Sequence, residues 1–234
     1  MKTVYVVGRD INVEEMFTSN KWVVVDRLED ADLVQFCGQT SVNPVLYGDK
    51  KMEDTVIDNN LDVYEKQFFD YCINNKIPMA GVGRGAQLLH VLSGGKLYQR
   101  VNRHQCRYGH ATTIEETNNV KFKPLIEELQ KQFPIAHIRG PWVPSCHNQM
   151  MKRNSGLTVL TAQEATLKET SEEKHGVSRI LKTNNLIKDP EMIFHEVSRC
   201  LCFQPHPEWE RREHVAVKFY FKCIKMFFGI KSKD

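Results

Sequence analysis

"PMAGVGRGAQLLHVLSGG", residues 78–95, is the stretch from which this chain is best read. An apolar run ends in glycines at alternate positions, Gly81, Gly83 and Gly85, and an amphipathic run begins at once, so the spacing predicts a sharp turn from strand into helix. Three readings fit. As a dinucleotide loop, Gly81, Gly83 and Ala86 satisfy G-x-G-x-x-G/A, but the motif follows a late strand, and residues 101–107 (VNRHQCR) offer no acidic group to hold a ribose. As a structural turn, the glycines let the strand bend and the helix pack closely. As a nucleophile elbow, Gly81 and Gly85 are the small flanks of a central residue held at positive φ, and the next backbone N–H helps to form an oxyanion hole. The nucleophile itself is absent, because that central position is Gly83.

Outward from the turn, strands and helices alternate. "TVYVVG" (3–8), "KWVVVD" (21–26) and "DLVQFCG" (32–38) read as buried strands, with a short helix around 13–19, and "IPMAGV" is a fourth strand. "LDVYEKQFFDYCINN" (61–75) reads as a helix with Val63, Phe68, Tyr71 and Cys72 on one face. This order predicts a parallel sheet with helical crossovers. The second half reads as successive strands at 110–116, 157–163, 191–199 and 199–209, with few helices before "REHVAVKFYFKCIKMFFG". There Val215, Phe219, Cys223 and Phe227 fall at helical spacing before Gly229. No repeat, low-complexity tract or linker divides the chain, so one α/β domain over residues 1–234 is expected.

Composition narrows the function classes. The 234 residues are 41% hydrophobic and 26% charged, and 32 Lys and Arg against 29 Asp and Glu leave a net charge of +3 in small mixed clusters. No block of charge marks a nucleic-acid partner. Seven cysteines without repeated spacing read as reduced thiols, the N-terminal apolar run is too short for a signal peptide, and no segment is long enough to span a bilayer. A cytoplasmic protein without a membrane partner is expected.

Other residues supply what an elbow needs. "FQPHPEW" places His206 and Glu208 one proline apart at a strand end, a general base with a carboxylate to orient it. "GPWVPSCHNQM" places Ser145, His147 and Gln149 on one alternating face able to hydrogen-bond a polar substrate. Cys37 and Cys146 read as structural thiols, since Cys146 is out of phase with Ser145 and His147, and Cys37 would approach from the donor side. "HQCRYGH" (104–110) has metal-ligating residue types but no visible fourth ligand, and reads as a polar loop. Neither a metal nor a cofactor is expected.

Taken in order, "FCGQTSVNPVLYGD", "DNNLDVYE", "GVGRGAQLL", "GGKLYQ", "VPSCHNQ" and "PHPEW" resemble the class I glutamine amidotransferases, nearest the γ-glutamyl hydrolase branch that includes γ-glutamyl-γ-aminobutyrate hydrolases. The resemblance runs nearly end to end. It implies a flavodoxin-like fold, with a mostly parallel central sheet flanked by helices, and a Cys-His-Glu triad. His206 and Glu208 match the base and its orienter. Backbone N–H groups of Gly38 and Arg84 match the oxyanion hole, and Gln87, Ser145, His147 and Gln149 match the γ-glutamyl pocket. The implied ligand is glutamine or a γ-glutamyl small molecule, and the family admits a synthetase or ligase partner that receives ammonia. The nucleophile position falls on Gly83, which has no atom to form a thioester, so the chain as written should be inactive. Two functions stay open at this point: a hydrolase or amidotransferase in which Gly83 stands for the nucleophile, or a natural pseudoenzyme that binds a glutamine-like ligand or a partner protein.

Overall fold

A computed structural model describes residues 1–38, 40–101, 109–134, 141–153, 156–163, 168–174, 177–183 and 188–230. In chain order the elements are β1 (Lys2–Val6), α1 (Ile11–Ser19), β2 (Trp22–Val24), β3 (Leu33–Phe36), α2 (Asn59–Asn75), β4 (Met79–Val82) and α3 (Arg84–Leu92). Then come β5 (Leu97–Tyr98), β6 (Arg100–Val101), β7 (His110–Ile114), α4 (Lys123–Gln132), β8 (Trp142–Val143), β9 (Met150–Met151) and β10 (Leu157–Ala162). The last are β11 (Lys168–Lys174), β12 (Val177–Thr183), β13 (Pro190–His195), β14 (Cys200–Phe203) and α5 (Val215–Phe228).

Among the described residues the main sheet runs β2-β1-β3-β4-β14-β13-β10-β7-β8. Its first five strands are parallel, four of them from the first half as the alternation of strands and helices there predicts and the fifth, β14, from near the end of the chain, and the remaining strands join antiparallel. The order β2-β1-β3-β4-β14 is the flavodoxin-like one, with β14 arriving from the far end of the chain to take the fifth place. Such sheets present ligands to the carboxyl ends of their strands, so the ends of β3, β4 and β14 form one edge.

Helices cover both faces. On β14 the side chains alternate strictly: Leu201 and Phe203 join the core under α1, α4 and α5, while Cys200 and Cys202 join the core under α2 and α3. Asp10 caps α1 by accepting from the Asn12 and Val13 N–H groups, and Asp58 caps α2 through Asn60 and Leu61.

Two parts of the fold depart from the sequence reading. The face of α2 expected to be apolar is partly exposed, with Val63 at 63% and Tyr71 at 36% exposure, and the buried face is Asp62, Glu65, Phe69 and Cys72. A buried cation, Arg84, draws the two carboxylates inward. The second half also contains α4 and the β11–β12 hairpin, neither of which was expected. Pro124 in the first turn of α4 and buried Ile126 and Leu129 three residues apart are its legible signals.

Candidate active site

The elbow is a turn between backbones in close contact. A Cβ at Gly81 would lie 2.6 Å from the Ala86 nitrogen, and one at Gly85 would lie 2.3 Å from the Phe36 carbonyl carbon. The first turn of α3 therefore crosses β4 and the end of β3 backbone against backbone, where no side chain fits. Gly85→Ala should cost about 1–3 kcal/mol through overpacking. Chemical denaturation checks this, and an unchanged midpoint would mean that α3 is not seated there.

Gly83 has φ 52° and ψ −125°, a conformation hostile to any L side chain. The space above it is filled. A Cβ on Gly83 would stand 2.4 Å from His206 Cε1, 3.0 Å from His206 Nε2 and 3.2 Å from the Gly38 carbonyl oxygen. The His206 imidazole is buried, stacked on Trp209 with centroids 4.0 Å and planes 4° apart, and its Nδ1 lies 2.6 Å from Glu208 Oε1. Since a carboxylate oxygen accepts, Nδ1–H donates to Glu208, and the Cε1–Nε2 edge of the ring faces position 83. The short 3₁₀ turn Pro207–Trp209 sets Glu208 at the Nδ1 edge of the ring and Trp209 on its face, and His206 N–H is tied to the Pro144 carbonyl at 3.0 Å.

The two residues matched to an oxyanion hole meet each other here. Arg84 N–H donates to the Gly38 carbonyl oxygen at 3.2 Å, so the loop turns an acceptor toward that donor; Gly38 has φ 117°. The Arg84 side chain runs away from the turn into α2, where its guanidinium pairs with Asp62 Oδ1 at 2.5 Å and with Glu65. Burial pushes the Asp62 and Glu65 carboxyls above their usual range, and Arg84 only partly offsets it.

The amides matched to a substrate pocket brace neighbouring segments. Gln149 accepts from Val42 N–H at 2.7 Å and donates to Val42 O at 2.9 Å, and Gln87 donates to Gln149 O at 2.7 Å and Gln204 Oε1 at 3.2 Å. Ser145 and His147 are buried, Cys146 between them is exposed, and His147 Nδ1 lies 2.8 Å from the Gln149 carbonyl oxygen. The alternation in burial of 145, 147 and 149 is thus present, in a segment outside any named strand that bends at Asn148 and Gln149.

Cys37 is buried and donates to Val7 O, and burial pushes its thiol up to about 12, which does not suit a nucleophile. Residues 104–108 of the "HQCRYGH" stretch lie outside the described residues. His110 bonds Glu191 at 2.9 Å: burial pulls its imidazole down, and the Glu191 carboxylate outweighs that and holds it above its usual value. Among the described residues no group of three or more metal-ligating side chains is assembled. Sequence reasoning missed Asp62, Glu65 and Trp209; the i, i+3 spacing of two acids on α2 was the signal available for the first two.

Three comparisons relate the chain to known proteins. A Schizosaccharomyces pombe protein named as a candidate glutamine amidotransferase is 35% identical over 77 residues, which span 30% of this chain and 29% of that protein. A glutamine amidotransferase from Thermotoga maritima superposes with TM-score 0.57 at 14% identity, covering 98% of this chain and 99% of that one. A candidate GMP synthase component from Thermoplasma acidophilum gives TM-score 0.56 at 13% identity, covering 98% of this chain and 93% of that one. At these identities the two structures show a shared fold. The family model described as Peptidase C26 matches residues 16–177, more than half of the sequence. With the glycine turn, and with β3 and β4 inside that span, the chain belongs to the Peptidase C26 family of glutamine amidotransferase-like proteins.

Proposed function

We propose that this chain is a single glutamine amidotransferase-like domain of the γ-glutamyl hydrolase branch that keeps the base and orienter of a Cys-His-Glu triad, His206 and Glu208, and runs no thioester chemistry. It then serves as a binding protein for a glutamine-like or γ-glutamyl ligand, or for a partner protein. The observation that carries this reading is the space at position 83: the imidazole stands where a nucleophile's Cβ would be, at 2.4 Å, and both Trp209 and Glu208 hold it there. The Arg84 N–H, bonded to the Gly38 carbonyl, also fits a site not set to receive an oxyanion. The alternative is an amidotransferase in which Gly83 stands for a cysteine. The intact His206–Glu208 pair favours it, and a synthetase partner, as suggested by the resemblance to a GMP synthase component, would go with it.

The test is glutamate release from glutamine and from γ-glutamyl amides by the purified chain. We expect the no-enzyme rate, together with a rise in melting temperature at millimolar L-glutamine. Turnover abolished by iodoacetamide would overturn the reading and direct attention to exposed Cys146.

A further inference from the structure

Away from the elbow, at the edge of the sheet, lies a cavity of about 230 Å³ lined by Lys2, Asn20, Trp22, Phe221, Lys222 and Lys225. Lys2 opens β1, Trp22 opens the edge strand β2, and the two other lysines come from the outer face of α5. Lys218, Lys222 and Lys225 fall there at i, i+4 and i+7. Three lysines thus line one small space whose lining contains no carboxylate. Among the described residues neither Lys2 nor Lys225 is ion-paired, and Lys222 has only Glu128 at 3.7 Å, an exposed and weak contact. The Lys2 ammonium sits over the Trp22 ring, 5.4 Å from its centroid. Burial first, and the charge of Lys225 second, lower the proton affinity of Lys2, as expected of cations held near one another without a counter-charge.

We infer that this cavity is a site for the phosphate group of a small phosphorylated ligand. Lysine binds phosphate as a compact point charge with three donors, and a site lined by three of them offers the charge and the donors that a dianion requires, the Asn20 side-chain nitrogen being engaged with the Met16 carbonyl at 2.8 Å. The space is below the roughly 300–1,000 Å³ of a drug-sized pocket, so it would enclose a phosphate or diphosphate and leave the rest of the ligand outside. The Trp22 face is already covered by Lys2, so the ring is a wall for the charge and not a stacking platform.

The test uses inorganic pyrophosphate as probe, followed by two-dimensional NMR of the full chain in 50 mM salt. Saturable shifts at Trp22 and along α5 at millimolar probe or below are expected. Raising the salt to 300 mM should weaken binding several-fold, since the site acts through charge. Lys2→Gln with Lys225→Gln should weaken it at least tenfold without changing the melting temperature, and Lys2→Arg should retain it. Three results would overturn the inference: shifts reproduced by sodium chloride at matched ionic strength, unchanged affinity in the double variant, or tighter binding of a 12-nucleotide single strand than of pyrophosphate, which would make the lysines a nucleic-acid contact.

Discussion

Replacing Arg84 with methionine should destabilise the fold by about 3–5 kcal/mol at neutral pH, because it leaves Asp62 and Glu65 buried without their counter-charge. Both side chains are 3% exposed, as enclosed as the guanidinium between them, so water cannot stand in for it. The sign of the pH dependence follows from the carboxyls. Their folded-state affinity for protons is already above the usual range, owing first to burial, and loss of Arg84 raises it further. The folded variant then binds more protons than the unfolded chain, so its stability rises as pH falls and the deficit shrinks from pH 8 toward pH 5. Urea denaturation at both pH values measures this. Adding Asp62→Asn and Glu65→Gln to Arg84→Met should recover part of the loss, since the three residues act as one unit. A deficit below 1 kcal/mol, or one that grows on acidification, would show that the triad of charges does not hold α2 against the elbow.

Gly83→Cys is the second large effect, and two costs combine in it. The backbone at φ 52° and ψ −125° strains any L residue, and the new Cβ must displace the His206 ring, so about 2–5 kcal/mol of stability should be lost. His206→Ala in the same chain removes the collision and should return the packing share. In Gly83→Cys alone, the introduced thiol would lie at the amino end of α3 beside the imidazole, two features that favour thiolate. Iodoacetamide labelling read by peptide mass spectrometry should therefore modify it faster than any of the seven cysteines already present, and faster than in the variant that also carries His206→Ala. Equal labelling in the two variants would break the link between His206 and position 83, and with it the assignment of His206 as the base of a triad.

The periodicities of the sequence were sufficient for the four parallel strands of the first half and for α1, α2, α3 and α5, because apolar spacing is a local property, but not for the place of β14 among those strands. They were insufficient for the orientation of α2. Val63 and Tyr71 look like core residues in the sequence, and they lie outward because a cation from α3, some 20 positions later, recruits Asp62 and Glu65 to the inner face. No window along α2 contains that partner.

The same division holds at the candidate site. Three alternate glycines and a His-Pro-Glu run are facts of residue type and spacing, so the sequence by itself determined that a sharp strand-to-helix turn exists and that glycine stands at its apex. Only the tertiary structure decided what stands at the apex. The ends of β3, β4 and β14 are brought side by side from distant parts of the chain, and this puts the His206 ring and the Gly38 carbonyl over Gly83. It also ties Gln87 and Gln149 into bracing hydrogen bonds. The reason is that steric occupancy and hydrogen-bond partnership depend on distances across strands, which sequence spacing does not encode, whereas φ preference and nucleophilicity belong to the residue itself.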